Sequence, residues 1–423
     1  MLLLVEYPES MDEKQLYQQL LGIAAPWEVE RVELDVEKEV VSVHVVCARI
    51  GVAFACPECK RQCSCYDARE ERRWRHLDSC GFSTYLVARL PRVECAEHGV
   101  KTVEAPWSTP HSRFTLAFEC FALSVLQATK VQSRAAELLR LSPAQVHDLM
   151  GRAVERGMGR RDETQEVRNA SIDEKSMHRG HSYITVLGDV EGRRVLEISK
   201  DRTLESTSAL LRAALTPVQR EGVRAVAMDF WMAFMQARVE VLPNAETVHD
   251  RFHIAQYLNL AVDLTRRSEH RELARKGESL LTKTKYLWLK NPDNLTAKQE
   301  ATFEALRDSE LMTAKVWAFK ETFRDFFTLT TVGRGKTFLD KWIKTAVKLG
   351  NPHLTKVAEM FDRHREGLLA YLNHRISNGM AESFNSHIQE IKAVAHGFRT
   401  FESFRIAILF FSGKLDLYPQ KSP

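Results

Sequence analysis

Beyond Cys120 the 423-residue chain has no cysteine; all eight (Cys47, Cys56, Cys59, Cys63, Cys65, Cys80, Cys95 and Cys120) lie in its first 120 residues. That imbalance excludes a disulfide framework holding the whole protein together. It points instead to one metal-bound module joined to a cysteine-free remainder. Long apolar runs are missing too. No stretch approaches the roughly 18 apolar residues of a membrane span, and the opening "MLLLVEY" lacks both a basic lead-in and a small-residue cleavage site. The expectation is a cytoplasmic protein with no membrane partner. Charge of one sign is also scarce: 60 Lys/Arg against 56 Asp/Glu leave +4, so the total says little about partners. Neither a fixed-period repeat nor a low-complexity tail is present.

What is there reads as a multidomain α+β chain. A 44% hydrophobic content over this length suffices for two or three cores. Residues 1–45 open with the helical "MDEKQLYQQLLGI" and end in the alternating "WEVERVELDVEKEVVSVHVV", which predicts strand. Residues 46–106 carry most of the cysteines and short strand patterns such as "TYLVARLPRVEC". Residues 107–168 turn helical. There "SRAAELLRLSPAQVHDLMGRAV" predicts two helices broken at Leu141, Ser142 and Pro143, with Ser142 as N-cap and Pro143 in the first turn. Ala135 and Ala136 permit close helix approach, so this is a helix-turn-helix or a generic helical hairpin. Seven Lys/Arg against three Asp/Glu in 130–161 favour DNA, with the helix 143–154 in the major groove and Arg152 and Arg156 near phosphate. A second basic segment, 264–290, has eight against three.

Residues 169–267 alternate β and α signals: three strands, a helix, a strand, a helix, a strand and a helix. That is the order of a ribonuclease-H-like mixed sheet, although other α/β layouts share the periodicity. Residues 268–372 are almost wholly helical and lysine-rich, an all-α insertion that delays the final helices of the core, 373–423.

Two constellations carry chemistry. "CPEC" and "CAEH" supply Cys56, Cys59, Cys95 and His98, two knuckles separated by 35 residues. Three thiolates and an imidazole suit a closed tetrahedral zinc site, with Cys63 and Cys65 near enough in sequence to compete. The second constellation is acidic. Asp173 lies in the first strand of the α/β unit and Asp229 at the end of the fourth. In a ribonuclease-H-like sheet those strands are neighbours, and two carboxylates side by side favour a bound divalent metal. Glu382, in "SNGMAESFNSHIQEIK", sits on the polar face of a helix whose Phe384, Ile388 and Ile391 form the apolar face. Alone it reads as a first-turn acid favoured by the helix dipole, with Ser377 or Asn378 capping. Beside the two aspartates it is the natural third ligand of a two-Mg2+ cage.

Weaker expectations attach to other residues. Asp250 either caps the following helix or, with His253, orients a metal or phosphate. Asn385 holds Glu382 or DNA, or is plain surface. Lys392 and Arg399 touch phosphate or solvent, and Arg75 and His76 belong to a DNA face of the zinc module. Phe398, Phe401, Phe404 and Phe410 look like core.

Together, "CPEC", "RRWRHLD", "PRVECAEHG", "SIDEKS", "DRFHIAQ" and above all "SNGMAESFNSHIQEIKAVAHGFRTFESFR" resemble the DDE transposases of bacterial insertion sequences of the ISL3 type, in order, from about residue 45 to 412. The resemblance implies that Asp173, Asp229 and Glu382 are the catalytic acids, that Cys56, Cys59, Cys95 and His98 hold structural Zn2+, and that the helix-turn-helix recognises terminal inverted repeats. Ser383 and Phe384 depart from the familiar pattern, where a glycine follows the glutamate. The function expected is that of a nucleoid-associated DNA transposase. It cleaves element ends with two Mg2+ ions, for which Mn2+ can substitute, and joins the 3′-hydroxyls to target DNA as a homodimer on double-stranded DNA. A non-catalytic DNA-binding regulator and a metal-dependent nuclease are the alternatives.

Overall fold

The computed structural model describes residues 12–47, 53–177, 183–291, 294–376, 379–395 and 397–419. Side chains at 379–383 and 385 lie outside the description, including those of Glu382 and Asn385, as do Ser377 and Asn378. The chain forms two compact units, Met1–Arg161 with Leu415–Pro423, and Asp162–Lys414.

The first unit begins with α1 (Glu13–Leu20), capped by Asp12, whose carboxylate accepts from Gln15 N–H at 2.7 Å. The stretch expected as strand folds as a hairpin, β1 (Trp27–Asp35) and β2 (Val40–Cys47), antiparallel and reversed around Glu39 at φ 53°. Strands β3 (Phe54–Ala55) and β4 (Gln62–Cys63) make a separate ribbon. The long β5 (Cys65–Arg75) and β6 (Ser83–Cys95) run antiparallel, β6 lies parallel to β2, and β7 (Gly99–Thr102) pairs with the end of β6. Trp27, Trp74 and Trp107 meet edge to face at 5.1 and 5.5 Å and, with Val43, Leu86 and Val93, form the core of this sheet.

Three helices follow: α2 (Leu116–Thr129), α3 (Gln132–Leu139) and α4 (Pro143–Gly159). The expected break is present. Ser142 and Gln145 form a reciprocal capping box, 3.3 and 2.9 Å, with Pro143 opening α4. Ala135 and Ala136 are buried between the helices. The chain's last described residues also belong to this unit rather than to the core that precedes them. Leu417 is buried, and the Tyr418 hydroxyl donates to Gln127 Oε1 at 2.6 Å.

The second unit is built on a five-stranded sheet of β8 (Asn169–Ser176), β9 (Tyr183–Asp189), β10 (Arg194–Lys200), β11 (Ala225–Met228) and β12 (Glu246–His249), in the order β10-β9-β8-β11-β12. The first three strands are antiparallel, and β8, β11 and β12 are parallel. Helices α5 (Leu204–Ala214), α6 (Pro217–Gly222) and α7 (Met232–Val241) connect them. Alternation along β11 buries both of its sides. Val226 and Met228 join the core beneath α5 and α7, while Ala225 and Ala227 pack with Val248, Ala370 and Ile376.

The boundary expected at 267/268 falls inside α8 (Arg251–Arg275), an unbroken helix. Its Ile254, Leu258 and Val262 already belong to the core of the helical block, which continues through α9 (Lys285–Leu289), α10 (Ala297–Arg307), α11 (Met312–Phe323), α12 (Val332–Lys348), α13 (Pro352–Arg363) and α14 (Arg365–His374). Trp288, Trp317 and Trp342 are buried there with Phe323, Phe326 and Phe361. The chain then returns to the sheet with α15 (Gly379–Val394) and α16 (Phe401–Ser412). Phe384, Ile388 and Ile391 are buried as the apolar face of α15 requires. Gly188 of β9 makes room for Phe384, since a Cβ there would stand 2.6 Å from its ring. Phe404 and Phe410 are core as expected, whereas Phe398 and Phe401 are only half-buried.

Candidate metal centres

The first centre is built from the two knuckles. Cys56 N–H donates to Arg61 O, Lys60 N–H donates back to Cys56 O, and Lys60 turns the chain at φ 61°. Cys95 ends β6 and His98 stands just before β7, so the β6/β7 turn sets the second knuckle. The sulfurs of Cys56, Cys59 and Cys95 and a ring nitrogen of His98 all lie within 4.8 Å of one another. Cys59 Sγ is 3.6 Å from Cys95 Sγ, and His98 Nδ1 is 3.6 Å from Cys95 Sγ and 3.9 Å from Cys56 Sγ. A tetrahedron with Zn–S near 2.3 Å separates its sulfurs by roughly 3.8 Å, so this donor set fits zinc. Backbone N–H groups of Glu97 and His98 pull the Cys95 thiol down to about 6 and favour the thiolate. Cys63 and Cys65 are not in this set of four. Cys63 is held above its ordinary range by burial and the adjacent Cys95, and its sulfur donates to Arg61 O. Cys65 is exposed and donates to Asp67 O.

The second centre lies on β8 and just past the end of β11. Their parallel register pairs Ala227 with Ser171; two residues further along each chain stand Asp229 and Asp173, near enough for the Asp173 charge to act on Asp229. Asp173 is 9% exposed, and its Oδ1 accepts from Glu174 N–H at 2.9 Å. Asp229 Oδ1 accepts from Trp231 N–H at 2.9 Å. Burial raises the Asp229 carboxyl above its ordinary range, and the charges of Glu174 and Asp173 add to this, while Trp231 N–H and His253 oppose it. A partly buried acid next to other acids is what a cation relieves. Glu382 is carried on α15, whose Lys392 Nζ donates to Ser176 O at the end of β8, 3.1 Å. Among the described residues no other group of three or more such ligands converges besides the zinc set; Glu382's side chain is not among them.

Several residues around this pair were not legible in the sequence. Arg202, from the β10/α5 loop, ion-pairs with Glu174 at 2.5 Å and lies over the rings of Tyr183 and Trp231 at 4.4 and 4.3 Å. Behind Asp229, Phe230 stacks on His249 at 4.1 Å and meets Tyr257 and His364 edge-on. Burial, then His364, push the His249 imidazole down to about 3. Asp250 occupies the N-cap position of α8 but makes no side-chain capping bond there, contrary to the capping expectation. Its N–H is spent on Met228 O, and its side chain is buried with the sheet end.

The expected phosphate contacts separate. Arg156 is turned inward: its guanidinium pairs with Glu119, which is 0% exposed, and donates to Leu417 O at 2.5 Å. A buried carboxylate on α2 needs that cation more than the surface does. Arg152 lies over Phe114 at 5.8 Å, with Nε and Nη2 buried. Arg399 is exposed, and Lys392 is the β8 clasp already described. Arg75 and His76 are internal, not part of a DNA face. Arg75 pairs with Asp78 and donates to His76 O and Thr84 O; His76 Nδ1 lies 2.8 Å from Thr115 Oγ1, and burial takes its pKa to about 4.

Two family profiles match the chain. That of the ISL3-type DDE transposases, described as transposase, spans residues 170–408. One described as the zinc-finger of transposase IS204/IS1001/IS1096/IS1165 spans residues 53–98. The chain is similar to the transposase for insertion sequence element IS1557 of Mycobacterium tuberculosis, with 28% identity over 415 residues, covering 91% of this chain and 92% of that protein. It is also similar to the transposase for insertion sequence element IS1001 of Bordetella parapertussis, with 27% identity over 359 residues, 84% of this chain and 87% of that protein.

Proposed function

The chain belongs to the ISL3-type DDE transposases, and from that premise we propose that it binds the terminal inverted repeats of an insertion sequence, cleaves the element ends and joins the freed 3′-hydroxyls to target DNA. The observation that carries the reading is the parallel β8/β11 pairing, which runs toward Asp173 and Asp229, together with the Asp173 charge felt at Asp229. The strand order β10-β9-β8-β11-β12, with two antiparallel and two parallel pairings, supports a ribonuclease-H-like core. The capping box between α3 and α4 and the basic excess around it support a helix-turn-helix.

Asp173, Asp229 and Glu382 would hold two Mg2+ ions, or Mn2+, as oxygen ligands. When bound, such ions supply charge neutralisation at the phosphate and acidify a water or hydroxyl nucleophile. The protein's part is to hold its carboxylates fixed, while the bound cation would favour their ionised form. Trp231 N–H donates to Asp229 Oδ1 and Glu174 N–H to Asp173 Oδ1, which fixes the orientation of each carboxylate. Buried His249, with half-buried Phe230 and Tyr257 packed against it, backs the segment that carries Asp229. Cys56, Cys59, Cys95 and His98 would hold Zn2+ as a cross-link between β3/β4 and β6/β7, with no position left for substrate. Since two ends must be processed together, the working form is a homodimer on DNA. Incubation with a labelled element end, a target plasmid and Mg2+ tests the reading. Joined products support it; cleavage without joining makes the protein a nuclease, and shifted but intact DNA makes it a regulator.

A further inference from the structure

Trp231 is an unusual residue to find one hydrogen bond from a half-buried acid. Its backbone N–H is held by Asp229 Oδ1 at 2.9 Å, yet its side chain is 39% exposed. The ring is not loose. Indole Nε1 donates to Arg202 O at 2.9 Å, and the Arg202 guanidinium covers one face at 4.3 Å, itself backed by Tyr183 at 4.4 Å. Because Arg202 is paired with Glu174 at 2.5 Å, its charge is committed within the protein. What this corner offers to an incoming strand is therefore a fixed aromatic surface, extended by the exposed Met232, more than a cation for phosphate.

We propose that Trp231 is a stacking platform for one unpaired nucleobase of the DNA end, next to the phosphate on which Asp173 and Asp229 act. The proposal rests on the transposase reading of that site. A nucleotide whose phosphate lies at Asp229 places its neighbouring base within reach of a residue only two positions along the chain. A base inside a duplex has both faces covered by its neighbours, so the occupant is the terminal base of a cleaved end or one swung out of the stack. Stacking reads no sequence, because every base has a π face. The sequence-specific part of recognition is thus left to the other unit, and Arg202 becomes a positioning residue that keeps the indole rigid.

The test is a binding cycle that needs no cleavage. Full-length protein, with Ca2+ in place of Mg2+, is titrated with a terminal-repeat duplex whose nucleotide flanking the scissile phosphate is unpaired, and with the same duplex made abasic there; each side of the phosphate is tried in turn. Base–aromatic stacking predicts that the wild type prefers the base by about 5-fold to 150-fold at one of the two positions. Trp231→Ala loses that preference while binding the abasic duplex as the wild type does, and Trp231→Phe keeps most of it. A preference within twofold of unity in the wild type, or one that survives Trp231→Ala, overturns the proposal even if the protein cleaves DNA. Conversely, a wild-type protein that shows the preference yet never cleaves element ends leaves the platform standing and removes the transposase reading.

Discussion

Replacing Arg156 by alanine separates a structural arginine from a phosphate-binding one. In the folded first unit Glu119 of α2 is 0% exposed, and the Arg156 side chain that pairs with it is 14% exposed. Glu119 Oε2 already has no hydrogen-bond partner among the described residues, so Arg156→Ala strands a charged carboxylate in the helical core. Breaking a buried pair from one side costs about 3–5 kcal/mol, a large fraction of the roughly 5–15 kcal/mol that holds a domain together. The assay is amide hydrogen exchange in the intact protein, because a chain of two units does not unfold in one step. Peptides from α2 and α4 are expected to lose about 3–5 kcal/mol of protection, while those of the β8–β12 sheet stay unchanged. The double variant Glu119→Leu with Arg156→Met removes both charges and recovers most of the loss. It also leaves the salt dependence of DNA binding as it was. Unchanged protection in Arg156→Ala, together with a salt slope lowered by about one phosphate contact, would falsify the inward role.

Zinc content of the purified protein is expected at one ion per chain; Cys59→Ser or a strong chelator removes it and abolishes exchange protection across 53–102 without affecting the second unit. Metal analysis finding no zinc in folded wild-type protein contradicts this. Gly188→Ala puts a Cβ 2.6 Å from the Phe384 ring and 2.7 Å from Ser171 Oγ. Such overpacking costs about 1–3 kcal/mol and shifts α15, so cleavage falls while DNA binding holds, and adding Phe384→Leu restores part of the rate. A Gly188→Ala protein that cleaves normally argues against α15 being set by this contact. The His249 imidazole, at about 3 in the folded protein against 6.5 when free, binds protons more readily in the unfolded chain. Its contribution is full above pH about 6.5 and is lost as pH falls toward about 3. Between pH 7.5 and 4.5 that is about 2.5 kcal/mol, read as loss of protection in β12 and α14. His249→Phe abolishes this pH dependence; identical pH dependence in both proteins refutes the assignment.

Much of the architecture was legible because local rules decided it. The x2 knuckles, the Ser142 and Pro143 helix start and the Phe384, Ile388 and Ile391 face depend on residues a few positions apart, and the folded chain uses them as expected. The misreadings came where a distant partner decided. Arg156 looks like a surface arginine until Glu119, 37 positions earlier, is seen to need it. Arg75 and His76 belong to a basic run, yet Asp78 and Thr115 take them inside. Helix α8 crosses the expected domain boundary because helical propensity does not register which core the apolar face joins. The Arg202, Glu174 and Trp231 cluster had no sequence signal; three separate segments meet only once the sheet is formed. Glu382 keeps its standing from the sequence pattern and the family, carried on a helix that the sheet anchors through Phe384 and Lys392.

The most direct test of the central claim is cleavage of a labelled element end by Asp173→Ala, Asp229→Ala and Glu382→Ala proteins in Mg2+, with DNA affinity measured alongside. Each substitution is expected to leave affinity within a few-fold of the wild type and to lower the cleavage rate by about 1000-fold or more, as loss of several kcal/mol of metal-borne stabilisation requires. Cleavage within tenfold of wild type in any one variant would contradict the account by removing that acid from the site.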